Sequence, residues 1–213
     1  MINVIIAGVG GQGTVLAAKV LAVAAAARGW NVRTAETIGM AQRGGSVVSH
    51  IRIGNNGEDI HAPLVTKGSA NLIIAFEPGE AARAISYLAR SGTIVMATTP
   101  IEPVSATLSV ADYDVGDIVE NIQLALYNAM VRNITQETGA GGGQARLFTV
   151  DDRSLTDMLG GNRKVLNSIM IAEAVRAGCL PFTEDELCAA IGVCVKPQYA
   201  DMNLQAVRLA LTA

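Results

Sequence analysis

Half of the 213 residues are hydrophobic, only 4% are aromatic and 16% are charged, with a formal net charge of −3. This acidic balance, with no run of Lys and Arg among aromatic residues, argues against a nucleic-acid partner. An interior of Ala, Val, Ile and Leu favours buried parallel strands under helices, and the length favours a single domain over residues 1–213. Charged residues are scarcer than the roughly 25% of typical soluble domains, which predicts a surface covered by a protein partner.

The N-terminal residues and the cysteines indicate the cellular compartment in which the protein is expected. The N-terminus has no basic segment, and glycines interrupt its apolar run, so we expect neither a signal peptide nor a membrane span, and a cytoplasmic protein. Cys179, Cys188 and Cys194 match neither a C-x-x-C metal motif nor an even disulfide framework. We therefore predict that they are small buried apolar residues and that the chain has no metal site.

The first half of the chain predicts three elements and a hairpin. Residues 2–7 read as a buried strand, residues 14–28 as an alanine-rich helix ended by Gly29, and residues 31–36 as a strand ending at Glu36. The stretch SVVSHIRIG-NNG-EDIHAP, residues 46–63, predicts a β-hairpin because Asn56-Gly57 tolerates positive φ.

The second half continues the alternation of strands and helices. Further strands are predicted over 71–76, 93–98 and 145–150. Helices are predicted over 78–90, 116–138 and 162–177. A short helix is predicted to follow the capping box at Thr183, and a last helix to begin near Asp201. TGAGGGQ, residues 138–144, predicts a flexible connection. Together these indicate a three-layer α/β fold with a mostly parallel sheet, helices on both faces, a Rossmann-like N-terminal βαβ unit and an inserted β-hairpin.

The stretch VIIAGVGGQG, residues 4–13, joins the first strand to the first helix through four glycines. In such a corner, backbone N–H groups and a helix N-terminus face an incoming anion. One glycine permits the turn, one lets a phosphate approach and one lets helix and strand pack closely. The alternative is that close packing alone requires these small residues. The predicted binding residues are Gly8, Gly10, Gly11, Gln12, Gly13 and Thr14.

A second glycine-rich stretch surrounds Arg43 with Gly39, Gly44 and Gly45. It predicts a mobile loop whose guanidinium suits a phosphate or a carboxylate, so Arg43 and Gly44 join the candidate set, although a plain surface arginine is the alternative. Glu36 lies near where a dinucleotide site places an acid for the ribose, which keeps an NAD- or flavin-dependent oxidoreductase open. No spacing marks a proton donor for that chemistry, and the catalytic residues stay unknown.

Several stretches in the same order resemble the gamma-type subunit of 2-oxoacid:ferredoxin oxidoreductases. They are GVGGQGTVLAAKVLA, ETIGMAQRGGSVVSHIRIG, LIIAFEPGEAARAISYL and GTIVMATTPIEPVS, followed by Asn167, LPFTEDEL and Asn203. The resemblance runs from Asn3 to about Leu209. The sequence IAEA at 171–174 departs from the Leu-Gly pair of relatives.

The resemblance implies one subunit of a complex that converts a 2-oxoacid, here an arylpyruvate such as indolepyruvate, with coenzyme A to an acyl-CoA, and passes electrons to ferredoxin. It implies a chain that is inactive alone and receives coenzyme A as co-substrate. Thiamine diphosphate, Mg and iron–sulfur clusters are expected on a larger partner subunit, because this chain lacks the G-D-G signature and its isolated cysteines cannot ligate a cluster.

Ferredoxin is expected to meet the chain through that complex, and contacts with a second copy are also expected. Two alternatives stay open at this point. One is the free-standing NAD- or flavin-dependent oxidoreductase with Glu36 on the ribose. The other is a non-catalytic nucleotide-binding assembly module.

Overall fold

The computed structural model describes residues 1–38, 45–101, 113–136 and 143–213, and its strands form one sheet in the order β2-β3-β1-β4-β5-β6. Parallel pairing joins β1 to β4, β4 to β5 and β5 to β6, whereas β3 runs antiparallel to both β1 and β2. The predicted mostly parallel sheet is confirmed. The strands are β1 Ile2–Val9, β2 Asn31–Ile38, β3 Ser46–Gly54, β4 Ala70–Ala75, β5 Leu88–Ala97 and β6 Arg146–Val150.

Helices cover both faces of the sheet. The α-helices of the described residues are α1 Thr14–Ala27, α2 Pro78–Ala84, α3 Val115–Gln136, α4 Asp152–Asp157, α5 Leu166–Arg176, α6 Glu184–Cys194 and α7 Pro197–Thr212. Short 3₁₀ helices span Ile85–Tyr87 and Arg163–Val165. None of the described helices is long and apolar enough to cross a membrane.

Alternate side chains of the strands divide the interior into two apolar cores. Val4 and Ile6 of β1 point to the core shared with α1, α5, α6 and α7, whereas Ile5 and Ala7 point to the core shared with α2 and α3. This division follows from the two-residue period of a strand. The result is the three-layer α/β architecture predicted from the sequence.

The predicted hairpin is wrong in its second arm. Its first arm is β3, but residues 58–63 form no strand after the turn at Gly57. Both edges of β3 are occupied by β1 and β2, so no edge remains for another strand. Glu58 instead folds back over the turn, where its carboxylate accepts a hydrogen bond from the Asn56 amide at 2.8 Å.

Two helix predictions also need correction, and one short helix was not predicted. The helix predicted over 78–90 ends at Ala84, because β5 already begins at Leu88, which pairs with Ala70. The last helix begins at Pro197 rather than near Asp201, with the proline in the first turn where its missing N–H costs nothing. The short helix α4 had no prediction. It is capped by Asp151, whose carboxylate accepts from the Ser154 amide at 3.0 Å.

Two local predictions about helix ends are confirmed. Gly29 follows Arg28, the C-terminal cap of α1, and has φ of 73°, a conformation that favours glycine. Thr183 and Glu186 form the reciprocal capping box at the start of α6. Both depend on sequence-local geometry, which explains why the sequence alone revealed them.

Candidate anion-binding cleft at the glycine corner

The cleft opens where two neighbouring parallel strands send their chains to opposite faces of the sheet. After β1 the chain enters α1 on one face, and after β4 it enters α2 on the other. Open α/β sheets bind ligands at such a switch point, outside the carboxyl ends of the strands. Here the cleft has a volume of about 680 Å³ and is lined by Val9, Gly10, Gly11, Gln12, Gly13, Leu16, Ile101, Asn162, Arg163, Lys164, Leu166 and Asn167.

The glycine corner presents free backbone donors to this cleft. Gly11 and Gly13 have φ of 104° and 85°, which allows the sharp turn into α1. The Gly10 amide donates to the Gly45 carbonyl at 2.9 Å. Within the described residues, the amides of Gly11, Gly13 and Thr14 donate to no protein acceptor, and no side chain caps α1. The start of α1 is therefore free to bind an anion.

Two of the predicted binding residues, Gly8 and Gln12, hold the corner together through contacts with other parts of the protein. The Gln12 carboxamide accepts from the Val9 amide at 2.7 Å and donates to the Phe76 carbonyl at 2.9 Å, which ties the corner to the end of β4. A Cβ on Gly8 would lie 2.8 Å from the Thr14 Cγ2 atom. Gly8 and Gln12 therefore have structural roles of the kind that the packing interpretation describes, and anion binding by Gly10, Gly11 and Gly13 stays a prediction.

The opposite wall of the cleft was not predicted from the sequence. It consists of the segment that leads into α5 and carries Arg163 and Lys164. The Arg163 guanidinium donates to the Asp152 carboxylate at 2.7 Å, and the other oxygen of that fully buried carboxylate accepts from the Thr99 amide at 2.9 Å. The one sequence signal for this wall is a basic pair that follows Gly160-Gly161.

The electrostatics of the cleft favour an anion. Among its described lining residues, Arg163 and Lys164 are cationic and none is Asp or Glu. The Lys164 ammonium lies 5.6 Å from the centroid of the Tyr199 ring. A hydrogen bond with Gln198 and the Lys164 charge lower the pKa of Tyr199.

Glu36 does not lie at the corner. In the sheet register it is opposite Ser49 of β3, which is itself opposite Ile6 in the middle of β1. Because neighbouring strands are about 4.8 Å apart, β2 is roughly 10 Å from β1. The acid that a dinucleotide site would place beside the glycine turn is therefore absent from that position among the described residues.

Among the other titratable residues, His50 lies in the core, whereas the three cysteines are only partly buried against it and not buried as predicted. His50 is buried, accepts from the Val65 amide at 3.2 Å, and has its pKa lowered by burial. Burial raises the pKa of the thiols of Cys179, Cys188 and Cys194, which favours their neutral form. The described residues contain no group of three or more His, Cys, Asp or Glu side chains arranged to hold a metal ion.

Arg43 and Gly44 lie outside the described residues, as does most of the flexible connection predicted at 138–144. Their part in the cleft stays a prediction. The described part of the cleft brings together residues 10–13 with the basic pair on the segment before α5, whereas Thr14 does not line it.

A family model described as pyruvate ferredoxin/flavodoxin oxidoreductase matches residues 3–213. The chain belongs to this family. Subunit IorB of the indolepyruvate oxidoreductase from Thermococcus kodakarensis is 33% identical over 211 residues, which cover 99% of this chain and 95% of that protein. The subunit of the same name from Archaeoglobus fulgidus is 32% identical over 209 residues, covering 98% and 92%.

Solved structures of the family share the fold. The gamma subunit of the keto/oxoacid ferredoxin oxidoreductase from Geobacter sulfurreducens superposes with a TM-score of 0.65 at 16% identity, covering 100% of this chain and 97% of that one. The 2-oxoglutarate:ferredoxin oxidoreductase from Magnetococcus marinus, solved with 2-oxoglutarate, coenzyme A and succinyl-CoA bound, gives 0.66 at 13% identity, covering 100% and 31%.

The family assignment made from the sequence is confirmed by these matches. The chain is a subunit of a 2-oxoacid:ferredoxin oxidoreductase. The curated family relatives match it over nearly their whole length, so the glycine corner and the segment before α5 both fall inside the matched region.

Proposed function

We propose that the chain is the cofactor-free subunit of an arylpyruvate:ferredoxin oxidoreductase, and that its cleft receives the diphosphate of coenzyme A. The cleft carries this proposal, because unbonded amides at the start of α1 face the same space as two cations. The positive end of a helix dipole and free N–H groups together stabilise a phosphate. The names of the IorB relatives support indolepyruvate as the oxoacid.

The catalytic cofactors are assigned to a larger partner subunit. In the described residues, Cys179 follows α5 while Cys188 and Cys194 lie within α6, and all three are neutral, half-buried thiols. An iron–sulfur cluster needs four thiolates converging on one site, which this arrangement does not offer. When bound to the partner, thiamine diphosphate with Mg supplies the carbanion chemistry and the clusters carry the electrons.

This chain contributes binding and orientation. Holding the diphosphate at the glycine corner leaves the thiol arm of coenzyme A free to extend toward the partner subunit, where the acyl group forms. Binding energy from this remote part of the co-substrate lowers the entropy cost of presenting the thiol. We propose that residues 1–213 act as one domain, because both apolar cores are built on the same sheet. Ferredoxin reaches the complex through the partner.

The test uses the complex purified from native extract, assayed for thiamine and iron and for its Michaelis constants. Replacing Lys164, an exposed cation of the cleft, by Ala removes about 1 kcal/mol of attraction and raises KM for coenzyme A about five-fold. Arg43→Ala has the same expected direction. KM for the oxoacid stays unchanged in both variants. Lys67→Ala is the matched control, because Lys67 is an exposed lysine just before β4, at the end of the parallel strands opposite to the cleft.

Two results would overturn the proposal. If Lys164→Ala and Arg43→Ala both leave KM for coenzyme A at the value of the Lys67→Ala control, the cleft does not receive the co-substrate. If the purified chain alone decarboxylates an oxoacid or binds NADH tightly, the cofactor-free role is wrong. Tight NADH binding would favour the free-standing dehydrogenase.

A further inference from the structure

We propose that the side chain of Asn167 is part of the anion site and that the site is built for a diphosphate. One anionic group accepts hydrogen bonds from Asn167 Nδ2 and from the amides of Gly13 and Thr14. The second anionic group is bound by Arg163 and Lys164. This inference rests on the proposed function only in taking the cleft as the place where an anionic ligand binds.

The nearly buried side chain of Asn167 carries a donor that no described protein atom accepts. The residue is only 3% exposed, and its Oδ1 atom accepts from the Ser168 amide at 2.9 Å. Within the described residues its Nδ2 group donates to no protein atom, although the residue lines the cleft. Because the Nδ2 atom opens into the cleft, its N–H groups are available to whatever occupies that space. An anionic ligand in the cleft would accept a hydrogen bond from a side chain that is already held in place.

The unpaired amide group lies against the start of α1. A Cβ atom placed on Gly13 would be 3.2 Å from Asn167 Nδ2, so the two residues are in direct contact. Gly13 is the residue before α1, and its own amide and that of Thr14 are unbonded within the described residues. Two distant parts of the chain therefore bring N–H donors to the start of α1, where Gly13 and Asn167 both line the cleft.

Neighbouring polar groups satisfy one another without Asn167 Nδ2. The Ser168 hydroxyl donates to Asn203 Oδ1 at 2.7 Å, and Asn203 Nδ2 donates to the Tyr199 carbonyl at 2.7 Å. This buried network joins α5 to α7 and fixes the backbone that carries Asn167. It holds the carboxamide in place while leaving its N–H group available to the cleft.

The second anionic group follows from the position of the two cations. Arg163 is held by the buried Asp152 carboxylate while its side chain remains 38% exposed, so the guanidinium is oriented before any ligand arrives. Lys164 is the neighbouring cation on the same segment. The amide donors belong to the start of α1 and the cations to the segment before α5, and we infer that a ligand with two linked phosphates satisfies both groups at once. A guanidinium forms paired hydrogen bonds with phosphate oxygens, which adds selectivity for that group.

The test measures binding of pyrophosphate and of orthophosphate to the full chain by calorimetry. We expect pyrophosphate to bind at least ten-fold more tightly than orthophosphate. In Asn167→Asp the acceptor for the Ser168 amide is kept, and an acid in the first turn of α5 is favourable, so the fold is retained. The donor becomes a carboxylate, and pyrophosphate affinity falls at least thirty-fold. Circular dichroism and thermal melting check the fold.

Asn162→Asp is the matched control. Asn162 lines the same cleft and its Oδ1 atom accepts from the Lys164 amide at 3.0 Å, an interaction that Asp retains. It introduces the same negative charge without removing the donor beside Gly13. We expect this control to weaken pyrophosphate binding only a few-fold. Equal losses in the two variants would overturn the role of Asn167, since charge alone would then explain the effect.

Other outcomes of the binding experiments test whether the site binds a diphosphate and which molecule carries that diphosphate. If wild-type chain binds orthophosphate as tightly as pyrophosphate, or binds neither, the diphosphate site is wrong. Displacement of pyrophosphate by coenzyme A but not by NADH identifies the source as the co-substrate. If the pyrophosphate results hold while KM for coenzyme A in the complex does not respond to cleft variants, the anion site stands and the proposed function fails.

Discussion

Replacing Gly8 by Ala inserts one methyl group into the tightest part of the glycine corner. Gly8 is the penultimate residue of β1 and does not have positive φ, so the substitution introduces no left-handed strain. The added Cβ would lie 2.8 Å from Thr14 Cγ2, 2.9 Å from Gln12 Oε1 and 3.3 Å from Phe76 Cβ. Carbon atoms in contact prefer about 3.5–4.0 Å, so at least Thr14 or Gln12 must move.

The expected loss of stability follows from the hydrogen bonds that Gln12 makes. Its carboxamide makes two hydrogen bonds, to the Val9 amide and the Phe76 carbonyl, and displacing it weakens both. Overpacking costs about 1–3 kcal/mol, and each hydrogen bond contributes about 1 kcal/mol. Replacing glycine by alanine inside a strand raises the free energy of unfolding by roughly 0.5–1 kcal/mol, because alanine has less backbone freedom to lose. The free energy of unfolding should therefore fall by about 2–3 kcal/mol.

Urea unfolding of the full chain measures this loss, and Gln12→Ala completes a double-mutant cycle. Gln12→Ala alone should cost about 2 kcal/mol, because it removes the same two hydrogen bonds. The double variant should cost about 3 kcal/mol rather than the sum of about 4–5 kcal/mol, since the methyl group then meets no carboxamide. Additivity within about 0.5 kcal/mol would refute the claim that Gly8 is required by Gln12.

Two further predictions concern ion pairs. The pKa of Glu186 is lowered to about 2, chiefly by its hydrogen bond with Arg28. This ion pair therefore stabilises the fold fully at pH values above the ordinary carboxyl pKa. Its contribution is lost as the pH falls toward about 2. The Glu186→Gln variant keeps the capping box. Between pH 5 and pH 2, its free energy of unfolding, measured by urea titration, should fall less than that of the wild type. An equal fall in both proteins would contradict this prediction. Arg163→Ala should cost about 2 kcal/mol in thermal unfolding, because it leaves the buried Asp152 carboxylate without its cation, whereas Lys164→Ala should change stability by less than about 0.5 kcal/mol. Equal costs would mean that Asp152 does not depend on Arg163.

Features with a local cause were predictable from the sequence. The positive φ of Gly29 and the capping box at Thr183 depend on neighbouring residues, and both are confirmed. The family assignment is confirmed as well, because the resembling stretches cover nearly the whole chain. The glycine corner was located correctly, but the distinct structural roles of Gly8 and Gln12 appear only when β4 is placed beside β1.

Features that depend on distant residues were not predictable in this way. The helix predicted through residue 90 stops early because Leu88 pairs with Ala70, and the hairpin lacks its second arm because β2 already occupies the outer edge of β3. Backbone propensity is weak compared with strand pairing and burial, so the tertiary contacts override it.

The sequence by itself determined the alternation of strands and helices, the turn at the glycine corner and membership of the family. Those follow from side-chain periodicity and from backbone freedom within a few residues. Only the tertiary structure decided that β3 separates Glu36 from β1, and that Asn167, more than 150 residues along the chain, lies against Gly13. The physical reason is that strand order and burial minimise the free energy of the whole chain, so residues meet in the cleft through packing that no local pattern records.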